Sequence, residues 1–500
     1  MNHGLIRTTY AAILLCIAAA CTRAPYEFEA LYEGLPFAME RVERPQISGF
    51  RTCLTDFGAV GDGFTLNTGA FEAALGQLES RGGGHLDVPE GIWLTGPISL
   101  RSGIDLHLEK GALIVFSDDP SLYAIKDLNF EGLDTRRCQP LIGADGCHDI
   151  SITGEGIIEG SGDSWRMLNR YKVSSVMWEK AVENGGVLSD DGERLFPDQG
   201  YKDAYNAPRD FNVSLAGFDE EHIKRFLRPV MIGFRGCENV LLEGCSFRNS
   251  PSWNIHPVFC RNVIVKDIFV KSPDYAQNGD GIDIDACENT IVTGSSFDVG
   301  DDAVCVKSGK DKDGRRHGIP TKNLIIHGCT VYHSHGGFVI GSEMSGGVSN
   351  VKLSNCTYLG TETGLRFKSC RGRGGVVENI WISGVRMKDI MAEAIIFNLD
   401  YRGKSAMTRM TEGAALPAIG AAPVDEGTPE FRNIHIDNVI CNGADAAMTF
   451  IGLPEMPIHD IHISNTRISS RKGRDFRYCR DISLDNVEID STAQANHKTR

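Results

Sequence analysis

The tetrapeptide Asn262-Val263-Ile264-Val265 recurs along the chain, for example as Asn289-Thr290-Ile291-Val292 and Asn323-Leu324-Ile325-Ile326. Each copy is an Asn or Asp followed by alternating apolar residues. Most neighbouring copies follow each other within a few tens of positions, which is the spacing typical of stacked repeat units. The remaining copies are Asp149-Ile150-Ser151-Ile152, Asn239-Val240-Leu241-Leu242, Asn350-Val351-Lys352-Leu353, Asn379-Ile380-Trp381-Ile382, Asn433-Ile434-His435-Ile436, Asp460-Ile461-His462-Ile463 and Asp481-Ile482-Ser483-Leu484.

The repeats predict an all-β fold, a right-handed parallel β-helix. Each unit is rich in Val, Ile and Thr with Gly, Asn and Ser at the corners, and it cannot bury its own apolar face without a neighbour. A leucine-rich horseshoe is the alternative, but the units lack its Leu-x-x-Leu-x-Leu spine. The end of the stack needs a cover, and residues 67–80 predict a capping helix, because their apolar residues follow helical spacing at Phe71, Ala74, Leu75 and Leu78.

The domain organisation follows from where the repeats begin and end. We predict a linker or extension at residues 22–48, a β-helix domain at 49–490 and a polar tail at 491–500.

Two stretches interrupt the repeats. Residues 160–228 form an insertion that we expect to be helical over Trp165–Asn184, and residues 402–430 are rich in Ala, Gly and Pro and predict a loop. Long insertions of a solenoid often lie on its binding face, although a purely structural cover is equally compatible with the sequence.

The start of the chain, residues 1–21, predicts an export signal. A short segment with His3 and Arg7 precedes an apolar run, Tyr10–Ala20, which is too short to span a bilayer. Cys21 follows three Ala residues, as the acceptor of a bacterial lipoprotein signal does, so we expect lipidation of Cys21. Cleavage beside Cys21 without a lipid is the alternative. The protein is therefore expected in the periplasm, tethered to the outer membrane by its lipid, or secreted.

Composition limits the classes of partner. The 500 residues are 41% hydrophobic and 23% charged, which excludes wholesale disorder, and the net charge of −15 argues against a nucleic-acid binder. An acidic substrate is compatible with this net charge if one cleft is locally basic.

Most of the fifteen cysteines fall in two registers of the repeat, which predicts buried ladders of small hydrophobic residues rather than disulfides. These cysteines are Cys147, Cys237, Cys260, Cys287 and Cys479, and Cys245, Cys329 and Cys356.

A group of carboxylates points to the chemistry. The interval between Asp280 and the pair Asp301-Asp302 corresponds to one coil, so we expect them to lie on adjacent coils of one face. Carboxylates that close raise each other's pKa, so that one stays protonated near neutral pH. A protonated and an ionised carboxylate are the acid and base that glycoside hydrolysis needs. An isolated Asp pair would more often be a solvated turn.

The next coils extend this line of residues. Ser334-His335-Gly336-Gly337 lies one coil on, and Arg366-Phe367-Lys368 lies one coil further. In a strand, residues two apart share a face, so Arg366 and Lys368 point the same way. Alone, His335 would be a turn residue and the Arg-x-Lys segment a solvated surface. Together they predict an acid–base centre beside a pair of cations that binds a carboxylate.

These segments resemble the signatures of the polygalacturonases and related pectin hydrolases, glycoside hydrolase family 28. The matching segments, in the order of that family, are Asn278-Gly279-Asp280, Gly300-Asp301-Asp302, Ser334-His335-Gly336 and Arg366-Phe367-Lys368. The resemblance implies hydrolysis of α-galacturonosidic bonds with inversion and without a metal or other cofactor. It implies that Asp301 is the general acid, that Asp280 and Asp302 activate water, and that His335 tunes the acid. Asn278, Arg366 and Lys368 would bind the substrate, with the last two holding a galacturonate carboxylate.

Other segments resemble bacterial members that attack chain ends. They are Lys307–Gly318 and Gly341–Gly347, and with the 160–228 insertion they are expected to wall off one end of the cleft. Arg316 would bind a further substrate carboxylate unless it belongs to a solvated basic loop. Trp253 and His256 would form the floor of the cleft unless they are core residues. We expect the protein to act on a pectic polysaccharide or oligogalacturonide as a monomer.

Three other functions are also compatible with the sequence. A rhamnogalacturonan-type pectin hydrolase would share the family's site. A polysaccharide lyase would share the β-helix but usually binds calcium and uses Arg or Lys as the base. A carbohydrate-binding adhesin would share the fold without catalysis.

Overall fold

The computed structural model describes residues 26–207, 217–401, 403 and 419–491. The predicted signal peptide with Cys21, most of the predicted 402–430 loop and the tail from residue 492 lie outside these residues. Contacts between Cα atoms divide the chain into two units, Met1–Leu35 and Pro36–Arg500. In the first unit, a one-turn helix spans Glu29–Tyr32, and the ring of Tyr26 packs edge-on against those of Phe28 and Tyr32.

The second unit is a right-handed parallel β-helix, as the repeats predicted. One long side of it is an 11-stranded parallel sheet to which each coil contributes one strand. In order along the stack these strands are Ile98–Ser99, Ile142–Asp145, Ile232–Arg235, Ile255–Val258, Ile282–Asp285, Val304–Lys307, Gly336–Ile340, Thr363–Lys368, Glu393–Asn398, Ala446–Ile451 and Lys472–Arg477.

The other sides form a 24-stranded sheet made of two rows of strands. The rows are continuous because the last two strands, Ile458–Ser470 and Cys479–Ser491, run through both. The remaining strands of the first row are Arg51–Cys53, Gly84–Val88, Ile104–Leu108, His148–Gly154, Glu238–Glu243, Arg261–Lys266, Glu288–Thr293, Thr321–His327, Val348–Ser354, Val376–Ser383, Glu430–Phe431 and Ile434–Asp437. Those of the second row are Gly91–Thr95, Ala112–Phe116, Ile157–Glu159, Ser246–Arg248, Phe269–Lys271, Ser296–Asp298, Thr330–Val331, Thr357–Leu359, Arg386–Lys388 and Ile440–Asn442.

The Asn or Asp that begins each repeat has a structural reason. All ten of these residues have φ between 48° and 60°, the left-handed region that Asn and Asp tolerate better than other residues with a side chain. The Asn amides also bond along the stack. The side-chain nitrogen of Asn323 donates to Asn289 at 3.0 Å, and that of Asn289 donates to Asn262 at 3.3 Å. The repeat residue therefore turns the corner of a coil and links it to the next.

The cysteines behave as the registers predicted. Cys237, Cys260 and Cys287 are buried in the apolar core at the same position of successive coils, and every cysteine in the described residues is a free thiol. Their Sγ atoms donate to backbone carbonyl oxygens; that of Cys260 bonds the oxygen of Phe234 at 3.3 Å. They pack as small hydrophobic residues.

The first coil is covered by a helix, Thr68–Ser80, which buries the four apolar residues that predicted it. The segment at residues 36–48, part of the predicted linker, packs on the outside of the 24-stranded sheet. Arg44 donates two hydrogen bonds of 2.8 Å to Glu243, and Phe37 packs on Trp381 with ring centroids 5.6 Å apart. This segment therefore crosses several coils and joins them from outside.

The insertion differs from its prediction. Helix is confined to Ser175–Glu183 within the expected span Trp165–Asn184, because the hydroxyl of Ser174 caps the helix start and Gly185-Gly186 follows its end. The residues before it form turns and the strand Leu168–Asn169, which pairs with Arg194–Phe196, itself paired with Val187–Leu188. A second helix spans Gln199–Asn206. No helix in the described residues is both long and apolar enough to cross a membrane.

A β-hairpin that the repeats did not predict projects beside the 11-stranded sheet. Its strands, Ile125–Phe130 and Leu133–Cys138, are antiparallel and joined at Glu131-Gly132, both with positive φ. The backbone nitrogen of Lys310 donates to the carbonyl oxygen of Gly132 at 2.9 Å. A Cβ on Gly132 would lie 2.6 Å from that nitrogen, so only glycine permits this contact. A helix, Asp311–His317, follows Lys310.

We predict that Asn289→Ala lowers the free energy of unfolding by about 2 kcal/mol, because it removes two bonds of the ladder and places a less tolerant residue at positive φ. Urea denaturation measures this change. Asn206→Ala, at an exposed helix end, is the matched control and should change stability little. Equal stability of the two variants would contradict a structural role for the Asn ladder.

Candidate active site

The candidate catalytic residues lie at one edge of the 11-stranded sheet because consecutive coils pair in register. Ile282 pairs with Val304, Val304 with Phe338, and Phe338 with Leu365. Asp280 and the Asp301-Asp302 pair come just before the first two of these strands, and His335 just before the third. Arg366 and Lys368 lie in the fourth. The structure thus brings together the six residues that the motifs indicated.

The three aspartates form one group. One carboxylate oxygen of each lies within 4.8 Å of one oxygen of the others. Asp280 and Asp302 are buried, whereas the side chain of Asp301 is 22% exposed. Burial and then the charge of Asp301 raise the pKa of Asp280 well above its ordinary value, and Oδ1 of Asp280 has no hydrogen-bond partner among the described residues. Burial and the neighbouring charge of Asp301 therefore favour the protonated form of Asp280.

Asp301 is paired with His335. Nδ1 of His335 lies 2.9 Å from Oδ1 of Asp301, and its Nε2 lies 3.6 Å from Oε1 of Glu362. Burial opposes charge on Asp301, but the charge of His335 and its hydrogen bond outweigh burial and lower the pKa of Asp301. Burial likewise opposes protonation of His335, yet Asp301 leaves the pKa of His335 raised. The pair is accordingly an ion pair.

Asp302 binds both cations of the Arg-x-Lys segment. Nη1 of Arg366 donates to Oδ1 of Asp302 at 3.1 Å, and Nζ of Lys368 donates to Oδ2 at 2.7 Å. Despite burial, Lys368 and Arg366 lower the pKa of Asp302. The two cations therefore point the same way, as alternation in a strand requires, and Asp302 remains ionised.

Asp280, Asp301, Asp302 and Lys368 line a cavity of about 590 Å³, a size that suits a small ligand, whereas His335 and Arg366 are not among the described residues that line it. It has acids at one side and several cations beyond them. The lining residues are Glu131, Trp253, Asn278, Asp280, Asp301, Asp302, Lys307, Lys310, Ser342, Glu343, Lys368, Cys370, Arg373, Tyr401 and Gly403.

Four predicted binding residues have different positions. Asn278 lines the cavity and accepts a hydrogen bond from Arg228 at 3.0 Å, and Trp253 also lines it. His256 and Arg316 are not among the described residues that line the cavity, and their contact with a substrate stays a prediction. His256 is buried under Trp253, with ring centroids 4.9 Å apart, next to Asp285.

Arg316 is turned away by the helix on which it lies. It is paired with Asp134 of the hairpin at 2.7 Å and with Asp313 of its own helix at 3.1 Å. Its side chain is 58% exposed. Arg316 therefore joins the hairpin to the helix.

Several cavity residues were not singled out from the sequence, although Lys307 and Glu343 belong to segments that were expected to wall off the cleft. Lys307 follows the alternation of its strand, Val304-Cys305-Val306-Lys307, and this pattern could have placed it on the side of Lys368. Glu131 sits in a two-residue turn before Gly132, a recognisable hairpin signal. Glu343, Arg373 and Tyr401 lie in turns between coils, where repeat spacing does not predict which way a side chain points.

We predict that Asp301→Asn lowers the pKa of His335 below its ordinary 6.5, because burial then acts without the opposing charge. An NMR titration of the imidazole, assigned by comparison with His335→Gln, measures the change. Asp190→Asn, which alters an exposed carboxylate, should leave that pKa where it is in the unmodified protein. An unchanged pKa in Asp301→Asn would contradict the ion pair.

Comparison with known proteins agrees with this geometry. Residues 220–443 match the model of the glycosyl hydrolases family 28. The chain is 32% identical to a "Probable polygalacturonase" of Vitis vinifera, over 83% of this chain and 73% of that protein. It is 26% identical to the exo-poly-alpha-D-galacturonosidase of Dickeya chrysanthemi, over 73% and 59%. The structure resembles a hyperthermoactive exopolygalacturonase from Thermotoga maritima with a TM-score of 0.74 and 34% identity, covering 90% of this chain and 94% of that one. The chain belongs to glycosyl hydrolase family 28.

Proposed function

We propose that this protein is an exo-acting polygalacturonase, which hydrolyses α-galacturonosidic bonds in pectin or its oligosaccharides. Both the relatives that carry polygalacturonase names and the family membership support this substrate class. The observation that carries the proposal is the group of Asp280, Asp301 and Asp302 in a cavity that also contains Lys368. Carboxylates supply the acid and base of glycoside hydrolysis, and the cation suits an acidic sugar.

Asp301 protonates the leaving oxygen in this proposal, with His335 as its hydrogen-bonded partner. In the substrate-free protein, however, burial and the charge of Asp301 favour a proton on Asp280, whereas His335 favours the ionised form of Asp301. Because the carboxylate oxygens lie within 4.8 Å of one another, a single bridging water suffices to relay that proton to Asp301. The three aspartates then act as one coupled acid–base group that carries one proton.

Once Asp280 has given up its proton, Asp280 and Asp302 are both ionised and can orient the attacking water. The water oxygen bonds to the anomeric carbon, one water proton passes to this pair, and the bond to the leaving oxygen breaks as Asp301 protonates it. Attack from the face opposite the leaving group inverts the anomeric carbon, as is general in this family.

Lys368 and Arg366 have separate tasks in this proposal. Lys368 lines the cavity and can bind the carboxylate of the substrate. Arg366 is only 4% exposed and donates a hydrogen bond to Asp302. The charge near the scissile bond favours galacturonate over neutral sugars. This preference is what argues for a polygalacturonase over a rhamnogalacturonan-type hydrolase, and the coupled aspartates argue against a non-catalytic adhesin.

Attack at a chain end is supported by what closes the cavity. Two residues close this end of the cavity: Glu131 at the hairpin tip and Lys310 on the turn that is bonded to the hairpin. They block the path that a longer chain would follow through an open cleft. The names of the Dickeya and Thermotoga relatives agree with terminal attack. The sequence assigned such a wall to residues 307–318 and 341–347 together with the 160–228 insertion, and Lys310 and Glu343 of the first two segments do line the cavity. Export and a lipid on Cys21 remain predictions from the start of the chain.

We predict that homogalacturonan yields monogalacturonate from the first time point while the polymer shortens slowly, as chromatography over time would show. Asp301→Asn should lower the rate of release by about 10²–10⁴-fold, because the leaving oxygen loses its acid. The surface variant Asp190→Asn should retain the full rate. A first product pool dominated by longer oligomers would contradict terminal attack, and an active Asp301→Asn would contradict the assigned acid.

A further inference from the structure

A second group of charged residues lines the cavity beyond Lys368. Glu343 lies at its centre, with Oε2 3.1 Å from Nζ of Lys307 and Oε1 3.6 Å from Nη2 of Arg373. Nζ of Lys310 lies 3.9 Å from Oε2 of Glu131 at the closed end. The residues that line this end include three cations and two acids, and Asp283 and Asp311 contact Lys307 and Arg373 from outside the lining. This end is therefore richer in cations than the end with the three aspartates.

The three cations of this group differ in how many partners they already contact. Lys307 is held on three sides, by Glu343, by Asp283 at 3.3 Å and by the ring of Trp253 at 4.4 Å from its centroid. Arg373 contacts Asp311 and Glu343, but its Nε is buried without a hydrogen-bond partner among the described residues. The contact of Lys310 with Glu131 is long for an ion pair. Arg373 and Lys310 therefore keep donor capacity for a ligand.

The turn that carries Arg373 is fixed by its own backbone. The nitrogens of Gly372 and Gly374 both donate to the carbonyl oxygen of Gly427, at 2.8 and 2.9 Å, and Arg315 donates to the carbonyl oxygens of Gly372 and Arg373. Gly374 has φ of 66°, and a Cβ there would lie 2.1 Å from the carbonyl oxygen of Glu426. A guanidinium on such a turn is positioned before any ligand arrives, which lowers the entropic cost of binding.

Lys310 is positioned in a similar way. Its backbone nitrogen is bonded to Gly132 of the hairpin, so the closed end of the cavity and the ammonium group are set by the same contact. Lys310, Arg373 and Lys368 all act electrostatically on Glu343, whose pKa burial would raise but which Lys307 first and these cations next keep lowered. Glu343 is thus ionised and can accept a hydrogen bond from a hydroxyl group.

We propose that Arg373 and Lys310 form a second carboxylate subsite, which binds the galacturonate unit that the enzyme releases from the chain end. Glu343 accepts a hydrogen bond from a hydroxyl of that unit, and the hairpin tip at Glu131 blocks any further unit. Lys368 serves the carboxylate nearer the aspartates. This inference rests on the proposed function and adds to it which end group the cavity selects, an unesterified terminal galacturonate.

The test compares two trigalacturonates that differ only at the terminal unit to be released, whose carboxyl is free in one and methyl-esterified in the other. The unmodified enzyme should prefer the free acid through a lower KM. Arg373→Gln should raise KM for the free acid by about 10-fold or more, with a smaller change in kcat, because it removes a charge-assisted hydrogen bond. It should change KM for the ester little and so abolish the preference. Lys310→Met should act in the same direction.

Arg371→Gln is the matched control, because Arg371 is two residues away, is paired with Glu455 and is not among the described residues that line the cavity. It should leave both KM values unchanged. Thermal unfolding of each variant checks that the fold is retained. An unchanged KM in both Arg373→Gln and Lys310→Met, or an equal loss with both substrates, would overturn the subsite.

A binding measurement separates this inference from the proposed function. Titration of galacturonate into the unmodified protein, followed by NMR or calorimetry, should show binding that Arg373→Gln weakens about 10-fold and Arg371→Gln does not. If the enzyme released nothing from either trigalacturonate, the proposed function would fail while this titration still tested the subsite. Equal binding by all three proteins would overturn the subsite.

Discussion

The site depends on one constraint, the in-register parallel pairing of each coil on the one before it. Four consecutive strands of the 11-stranded sheet align Ile282, Val304, Phe338 and Leu365, and this alignment brings residues far apart in sequence, such as Asp302 of one coil and the Arg-x-Lys segment two coils on, within hydrogen-bond distance. A slip of one residue would turn every side chain to the other face of the sheet. The Asn ladder links successive coils at the corner where the chain enters the first row of the 24-stranded sheet.

The charges that this pairing collects are balanced differently at each aspartate. Asp301 has His335 and Asp302 has two cations, whereas Asp280 is buried with no donor among the described residues to its Oδ1. Three carboxylates so close cannot all be ionised at low cost, so the least compensated one holds the proton. In the proposed mechanism, in which Asp301 protonates the leaving oxygen, a proton therefore passes from Asp280 to Asp301 before the bond breaks.

Much of this arrangement could be predicted from the sequence. Repeat spacing indicated the β-helix, and spacing of one coil indicated that Asp280, Asp301, Asp302 and His335 share a face. What lies between the coils could not be predicted in this way. The side chains of turn residues such as Glu343 and Arg373 are oriented by backbone contacts with distant turns. Repeat spacing carries no information about those contacts. The order of the pKa values also escaped prediction, because it depends on which carboxylate each cation reaches.

Arg316 lies outside the cavity because of a hairpin that the repeats did not predict. Arg316 was expected in the cavity because a basic segment near acidic motifs suits an acidic substrate, but the hairpin at residues 125–138 lies beside that segment and Asp134 binds Arg316. Once the hairpin is in place, the basic segment becomes part of the wall, and the ligand-facing cations are those on the adjacent turns. A long connection between two coils thus altered the roles of residues nearly two hundred positions away.

The anomeric configuration of the first product tests most directly whether the coupled aspartates activate water for a single displacement. Proton NMR of a fresh reaction should show β-galacturonic acid first, followed by slow mutarotation to the equilibrium mixture, because water attacks the face opposite the leaving oxygen. Initial release of the α-anomer would mean a covalent intermediate on one of the three carboxylates, and it would contradict their role as a shared acid and base.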